Sequence, residues 1–299
     1  MTDTKEEITK YIVINLDNAS SDITMMIYRS EFSVTVKETC FGLSMTGPKE
    51  DVLAVVKKIR QLKDKNYIFI KDRGFPVGDR RRCRGTKGGP RPGFHFLKEE
   101  VKMLPAIGAA LDKLEAKEFA KEKRKEKCSL EVSDYEKVIG NNLNYAFLSR
   151  VFIYPVNSLI LSDLVDRFGH KPLVVMSQVR KKVTNVSIDS PPINITPEDP
   201  KLGLRYAAVE VPSGVRGRMA LMGSLIEEAE SAIIVENPPT NFGCLGCDRA
   251  NELLKYLIRS KEIPVLQIKY PESYEEARNF VNKIAEFLES VSNKKIRRR

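Results

Sequence analysis

Two cysteines in the run NFGCLGCDRANELLKYLI (241–258), Cys244 and Cys247, have the spacing best suited to chemistry. Leu253, Leu254, Leu257 and Ile258 follow at helical spacing, and SAIIVENPP, a β-rich run ending in prolines, comes before. The thiols therefore fall where a strand hands over to a helix. A helix N-terminus offers free N–H groups and the positive end of the dipole, and both favour thiolate. Thiolate is the form that a metal ion, an iron–sulfur cluster or disulfide exchange requires. One pair does not complete a tetrahedral zinc site, which takes about four ligands. Cys40, in KETCFG between two expected strands, and Cys83, flanked by Arg80, Arg81, Arg82 and Arg84, could supply the others. A thiol among guanidinium groups ionises readily. Together these thiolates suffice for one iron–sulfur cluster or, alternatively, one zinc ion. That arrangement requires the segment 73–93 to meet the helix start near 243. The competing readings are a thiol–disulfide redox pair at the C-x-x-C, or cysteines packed as small hydrophobes beside a docking surface. Cys128 lies in a charged stretch and reads as incidental.

A second group of residues is basic. Lys71, Arg73, Arg80, Arg81, Arg82, Arg84 and Arg91 crowd a Gly/Pro-rich segment in which glycines would let the backbone approach a ligand closely. Only Phe75 and Phe94 stand nearby as stacking residues. The segment thus favours an anionic ligand or an acidic protein surface over nucleic acid; a solvated basic loop is the bland alternative. Arg180, Arg216 and Arg218 follow expected strands, and Ser213-Gly214 before a helix forms an expected anion nest. Ser213 has no evident histidine partner for nucleophilic work, and neither a P-loop nor a dinucleotide fingerprint occurs. The two histidines, His95 and His170, read as structural, with His170 following the helix-ending Gly169.

The elements that must position these residues fall into two groups along 299 residues, a length that suits about two domains. YIVINLD, FSVTVKE, GLSMTG and NYIFIKD read as strands, with helices at SSDITMMIYRS and PKEDVLAVVKKIRQL. The order βαββαβ predicts a ferredoxin-like α+β module over 1–111, carrying the basic loop. Residues 112–149 are rich in Glu/Lys pairs and read as a charged linker. Over 150–292, VFIYP, LVVMSQV, YAAVEVP, SAIIVE and VLQIKYP alternate with helical segments, which predicts a mostly parallel α/β sheet. Asn157 is the expected cap of the first helix there. In such sheets ligands sit beyond the carboxyl ends of the strands, where the C-x-x-C falls. KKIRRR closes a basic tail, 293–299, and contributes to a net charge of +10. The polar N-terminus and the absence of long apolar runs predict a cytoplasmic protein without membrane contact.

The strings VTVKETCFG, FIKDRGFPVGDRRRCR and GGPRPGFH resemble methanogenesis marker protein 6, over about residues 8–115. VFIYPVNSLILSDLVDRFGHKPLVVMSQVRKKV, LRYAAVEVPSGVRGRMALMG and FGCLGCDRANELLKYL resemble methanogenesis marker protein 5, over about 150–290. Ala250, in CDRANEL, is the one departure, at a place where a threonine is expected. Such a resemblance implies a fusion of two archaeal marker families that accompany methyl-coenzyme M reductase, whose nickel cofactor is coenzyme F430. The implied role is maturation, assembly or activation of that enzyme, with the reductase or its other maturation factors as partners. No catalytic residue carries over. Cys40, Cys83, Cys244 and Cys247 all fall inside the resembling motifs, and Cys128 does not.

Overall fold

Alternating apolar residues in EITKYIVI form β1 (Glu7–Ile14), which sends Ile12 to one face of its sheet and Tyr11 and Val13 to the other. A computed structural model of the chain describes residues 6–15, 19–39, 41–74, 76–77, 94–126, 148–175, 198–238 and 245–296. After β1 come α1 (Ala19–Tyr28), β2 (Thr35–Thr39), β3 (Gly42–Pro48), α2 (Lys49–Ile59) and β4 (Ile68–Asp72). The strands form an antiparallel sheet in the order β2-β3-β1-β4, the ferredoxin-like arrangement. Helix α2 begins after Pro48, carries Glu50 and Asp51 in its first turn and Lys57 and Lys58 in its last, and so complements its dipole at both ends. Val52, Val55, Val56 and Ile59 bury its inner face against Ile12, Leu43, Met45 and Ile70.

Gly42 opens β3 at φ +140°, and a Cβ there would stand 2.3 Å from the Ile12 carbonyl oxygen. Both the backbone and the space therefore demand glycine. Gly42→Ala is expected to cost about 1–3 kcal/mol. The check is a lowered denaturant midpoint at unchanged m-value.

Helix α3 runs unbroken from Phe94 to Glu126, through Pro105 and beyond the expected start of the linker at 112. The second sheet follows: β5 (Arg150–Tyr154), α4 (Leu159–Arg167), β6 (Lys171–Leu173), a short α5 (Asp199–Leu202), α6 (Ser213–Glu228), β7 (Ser231–Val235), α7 (Leu245–Arg259), β8 (Val265–Ile268) and α8 (Tyr274–Ile296). Its strands are all parallel, in the order β6-β5-β7-β8. The expected α/β class thus holds in both halves.

Three local expectations are corrected. The strand expected at LVVMSQV is β6, which ends at Leu173. Tyr206–Pro212 is not a strand: turns and bends occupy it, following a 3-10 turn at Gly203–Arg205 in which Gly203 packs so closely on α6 that a Cβ would lie 2.0 Å from the Arg216 carbonyl oxygen. Helix α4 is capped by Ser158, whose Oγ accepts from Leu161 N–H, and not by Asn157. Its far end closes as a Schellman turn, with Gly169 at φ +78°, His170 N–H bonded to Val165 O and Gly169 N–H to Asp166 O. The same turn buries His170, whose Nε2 meets Ser292 Oγ at 3.1 Å.

The two halves share one core. Tyr11, Val13 and Phe69 from the antiparallel sheet pack with Phe96, Leu104 and Ile107 of α3, Leu161 and Val165 of α4, and Phe280 and Ile284 of α8. Val151, Ile153, Ile233 and Val235 of the parallel sheet close the same cluster from the opposite side. A central layer of α3, α4 and α8 is thereby covered by a sheet on each face. Helices α1 and α2 back the first sheet, and α6 and α7 back the second. Among the described residues no helix is long and apolar enough to cross a membrane.

Candidate functional site

Strand order decides where a ligand would enter the parallel sheet. From β5 the chain steps to β6 on one side and later to β7 on the other, so the crevice lies past the carboxyl ends of β5 and β7. Helix α4 starts there, and its free N–H groups attract an anion. That position is filled by the chain itself. Glu100, fully buried on α3, accepts from Leu159 N–H at 2.8 Å through Oε2 and from Ser158 Oγ at 2.5 Å through Oε1. Tyr270 OH donates to Glu100 Oε1 at 3.0 Å and lies 2.9 Å from Ser158 Oγ. Burial pushes the Glu100 carboxyl above its ordinary range, and Lys71 draws it only part of the way back. Burial and the neighbouring Glu100 push Tyr270 well above the ordinary tyrosine value.

The basic segment leaves β4 at the same edge. Lys71 Nζ donates to the Asn157 carbonyl at 2.8 Å, and its desolvation lowers the pKa of the ammonium. Arg73 N–H bonds Thr9 O, and its guanidinium lies 5.8 Å from the Tyr11 ring centre. Helix α3, which carries Glu100, begins at Phe94. The connection after β7 is clasped at this edge too, because Asn237 Oδ1 accepts from Tyr270 N–H at 2.6 Å. Asn157 Oδ1 is buried at this edge and has no hydrogen-bond partner among the described residues.

Cys247 lies in the first turn of α7, the helix that follows β7 in the chain. Its side chain, with Cys40, Cys83, Cys244, Arg80, Arg81, Arg82, Arg84, Arg91 and Arg180, lies outside the described residues. Position 40 is bracketed by Thr39, whose Oγ1 donates to Tyr11 OH at 2.9 Å, and by Phe41, which packs on the shared core. One tyrosine therefore touches both the neighbour of Cys40 and the first arginine of the basic segment. Among the described residues no group of three or more His, Cys, Asp or Glu side chains is placed to hold a metal.

Ser213 and Gly214 open α6 after Pro212, with no side-chain cap. Arg216 is spent on the carbonyls of Val211 (3.0 Å) and Pro200 (3.3 Å), and Arg218 donates to Gly214 O at 2.7 Å. The Arg216 bonds tie α5 and the turn before α6 to that helix, while the Arg218 bond stays within α6.

Sequence reasoning missed a second polar cluster. Asp163 on α4 is fully buried between Arg60 and Arg167, and its Oδ1 also accepts Ile70 N–H at 2.7 Å. Ile70 lies on β4, the edge strand of the antiparallel sheet, so α4 satisfies an otherwise open edge. Arg167 completes this, donating to Ile68 O (2.8 Å), Lys65 O (2.7 Å) and Asn66 Oδ1 (2.9 Å). The sequence carried no signal for it: Ser162, Asp163, Asp166 and Arg167 fall on one face of LILSDLVDR, as on an ordinary amphipathic helix.

A family model described as "Uncharacterized protein conserved in archaea (DUF2112)" matches residues 149–291, and one described as "Uncharacterized protein conserved in archaea (DUF2102)" matches 11–112. The C-terminal half of the chain belongs to the first of these archaeal families, and its N-terminal part is similar to the second. Uncharacterized protein MJ0404 of Methanocaldococcus jannaschii is 64% identical over 144 residues, which cover 48% of this chain and 96% of that protein. Uncharacterized protein MJ0498 of the same organism is 49% identical over 83 residues, covering 27% of this chain and 53% of the relative. No solved structure matches.

Proposed function

We propose that this two-family chain is an accessory protein of methanogenesis that acts in the maturation, assembly or activation of methyl-coenzyme M reductase. Its motif cysteines hold an iron–sulfur cluster or a metal ion. Relatives in a methanogen support the pathway, as does the resemblance of both halves to methanogenesis marker families. One observation supports the site: described residues on the chain around the Cys83 segment (Lys71 and Glu100) and before the C-x-x-C (Asn237, held by Tyr270) meet at the carboxyl edge of the parallel sheet. The donor chemistry fits, since Cys40, Cys83, Cys244 and Cys247 would offer thiolates, and Cys247 stands at a helix N-terminus that favours that form. A bound cluster would supply one-electron transfer. The chain's own part is to hold its cysteine-bearing segments at one edge and to present the arginines of 73–93 to an anionic partner surface.

Protein purified without oxygen is expected to contain iron and sulfide, with a visible charge-transfer band, and to lose both in Cys244→Ser/Cys247→Ser. Zinc without sulfide would replace the cluster by a structural ion. A folded, metal-free preparation would refute metal binding.

A further inference from the structure

The contact between the two halves has the anatomy of an obligate protein–protein interface. At its centre lies the apolar layer of α3, α4 and α8, held from either side by Phe69 and Val13 of one sheet and Ile153 and Ile233 of the other. Around it stand buried polar pairs whose members come from opposite halves: Asp163 with Arg60 and Ile70 N–H, Arg167 with Asn66, and Glu100 with Ser158 and Leu159 N–H. Each half alone would leave charges unpaired and an apolar face bare. Such faces are rare on free monomers and mark partner sites.

The relatives add an independent observation. MJ0404 has 96% of its length accounted for by 48% of this chain, so it carries the equivalent of one half only. Its match to this chain is 64% identical.

The geometry points to a non-covalent origin for this contact: the two halves are partner proteins joined end to end, and the covalent join is dispensable for their association. The partner that the α4/α8 face fits is a chain carrying an antiparallel sheet whose edge strand offers the Ile68 carbonyl and Ile70 N–H, with an arginine at the position of Arg60 and a carboxylate at that of Glu100. In organisms where the halves are separate, they meet through this face. The inference is independent of the metal reading above, because none of the residues it uses is a cysteine.

The test uses the full chain. A site for a sequence-specific protease is placed within 127–147, the folded protein is cleaved, and the products are examined by size-exclusion chromatography and native mass spectrometry. The expected result is a single 1:1 complex of the two fragments that persists on dilution to about 1 µM, as obligate interfaces of this kind do. Fragments that separate at that concentration, while circular dichroism shows both still folded, overturn the proposal; so does a mixture of undefined stoichiometry. A second arm cleaves the Arg167→Ala variant, which loses bonds to Asn66, Lys65 and Ile68 of the other half. Its dissociation constant is expected to rise at least ~30-fold. An unchanged constant would mean that this face is not the one holding the fragments, and would overturn the assignment.

Discussion

Asp163→Ala is expected to lower the stability of the whole chain by about 3–5 kcal/mol, because it removes one partner from a buried ionic cluster and leaves the others in place. Arg60 and Arg167 would remain, 19% and 9% exposed, without their shared carboxylate, and Ile70 N–H would lose its acceptor. Burial by itself would raise the Asp163 pKa, but the Arg167 and Arg60 guanidinium groups outweigh it and hold the carboxyl below its usual range. A carboxylate depressed in this way contributes stability above its unfolded pKa, near ~3.9, and the contribution is lost as pH falls through the lower folded value. Asp163→Asn keeps the shape and removes the charge. The stability gap between wild type and Asp163→Asn should therefore be full at pH 7 and narrow below about pH 4. Denaturant titrations at several pH values check this; a gap that does not change with pH would show that the Asp163 carboxyl is not held below its usual range in the folded chain.

The second large effect has the opposite sign with pH. Glu100 caps α4 from another helix, and its pKa is raised chiefly by burial, with Lys71, Ser158, Leu159 N–H and Tyr270 pulling it down by less. A group whose folded pKa is raised contributes stability below its unfolded value, ~4.3, and loses it as pH rises through the folded value. Wild type should therefore weaken over that window on going from acid toward neutral pH. Glu100→Gln, which can still accept from Leu159 N–H, should lack this slope and lie within about 1 kcal/mol of wild type at pH 7. Glu100→Ala should cost about 2–4 kcal/mol, since it strands Leu159 N–H and the hydroxyls of Ser158 and Tyr270 together. Parallel pH–stability curves for wild type and Glu100→Gln would disprove a raised carboxyl.

Both variants act on the contact between halves, and this is the part that the sequence concealed. The strands and helices of 7–72 were legible because alternation, Pro48 and the charges of α2 all agree with the fold. The parallel sheet was legible from short apolar runs such as SAIIV separated by amphipathic segments. What local patterns do not carry is which faces meet. The charges of 112–126 resemble those of a solvated helix, yet Asp112 accepts from Asn66 Nδ2 at 2.9 Å and Glu115 pairs with Lys65 at 3.2 Å. Tyr206–Pro212 alternates like a strand, yet turns and bends occupy it. Of the candidate site, the order of α7 after β7 was readable from the sequence. The carboxylate seated at the start of α4 was not, since Glu100 and the Leu159 N–H that donates to it are 59 residues apart.

That separation also matters while the protein is being made. The edge strand β4 leaves the ribosome 93 residues ahead of Asp163, which bonds its Ile70 N–H. At about 5–20 residues per second, the open edge waits roughly 5–20 s for the helix that covers it. Through that interval the nascent chain carries the same bare surface that a separately made half would show. A trigger for mispairing, or a binding site for a chaperone, is thus built into the order of synthesis, and the charged stretch 112–137 is what the ribosome delivers in between.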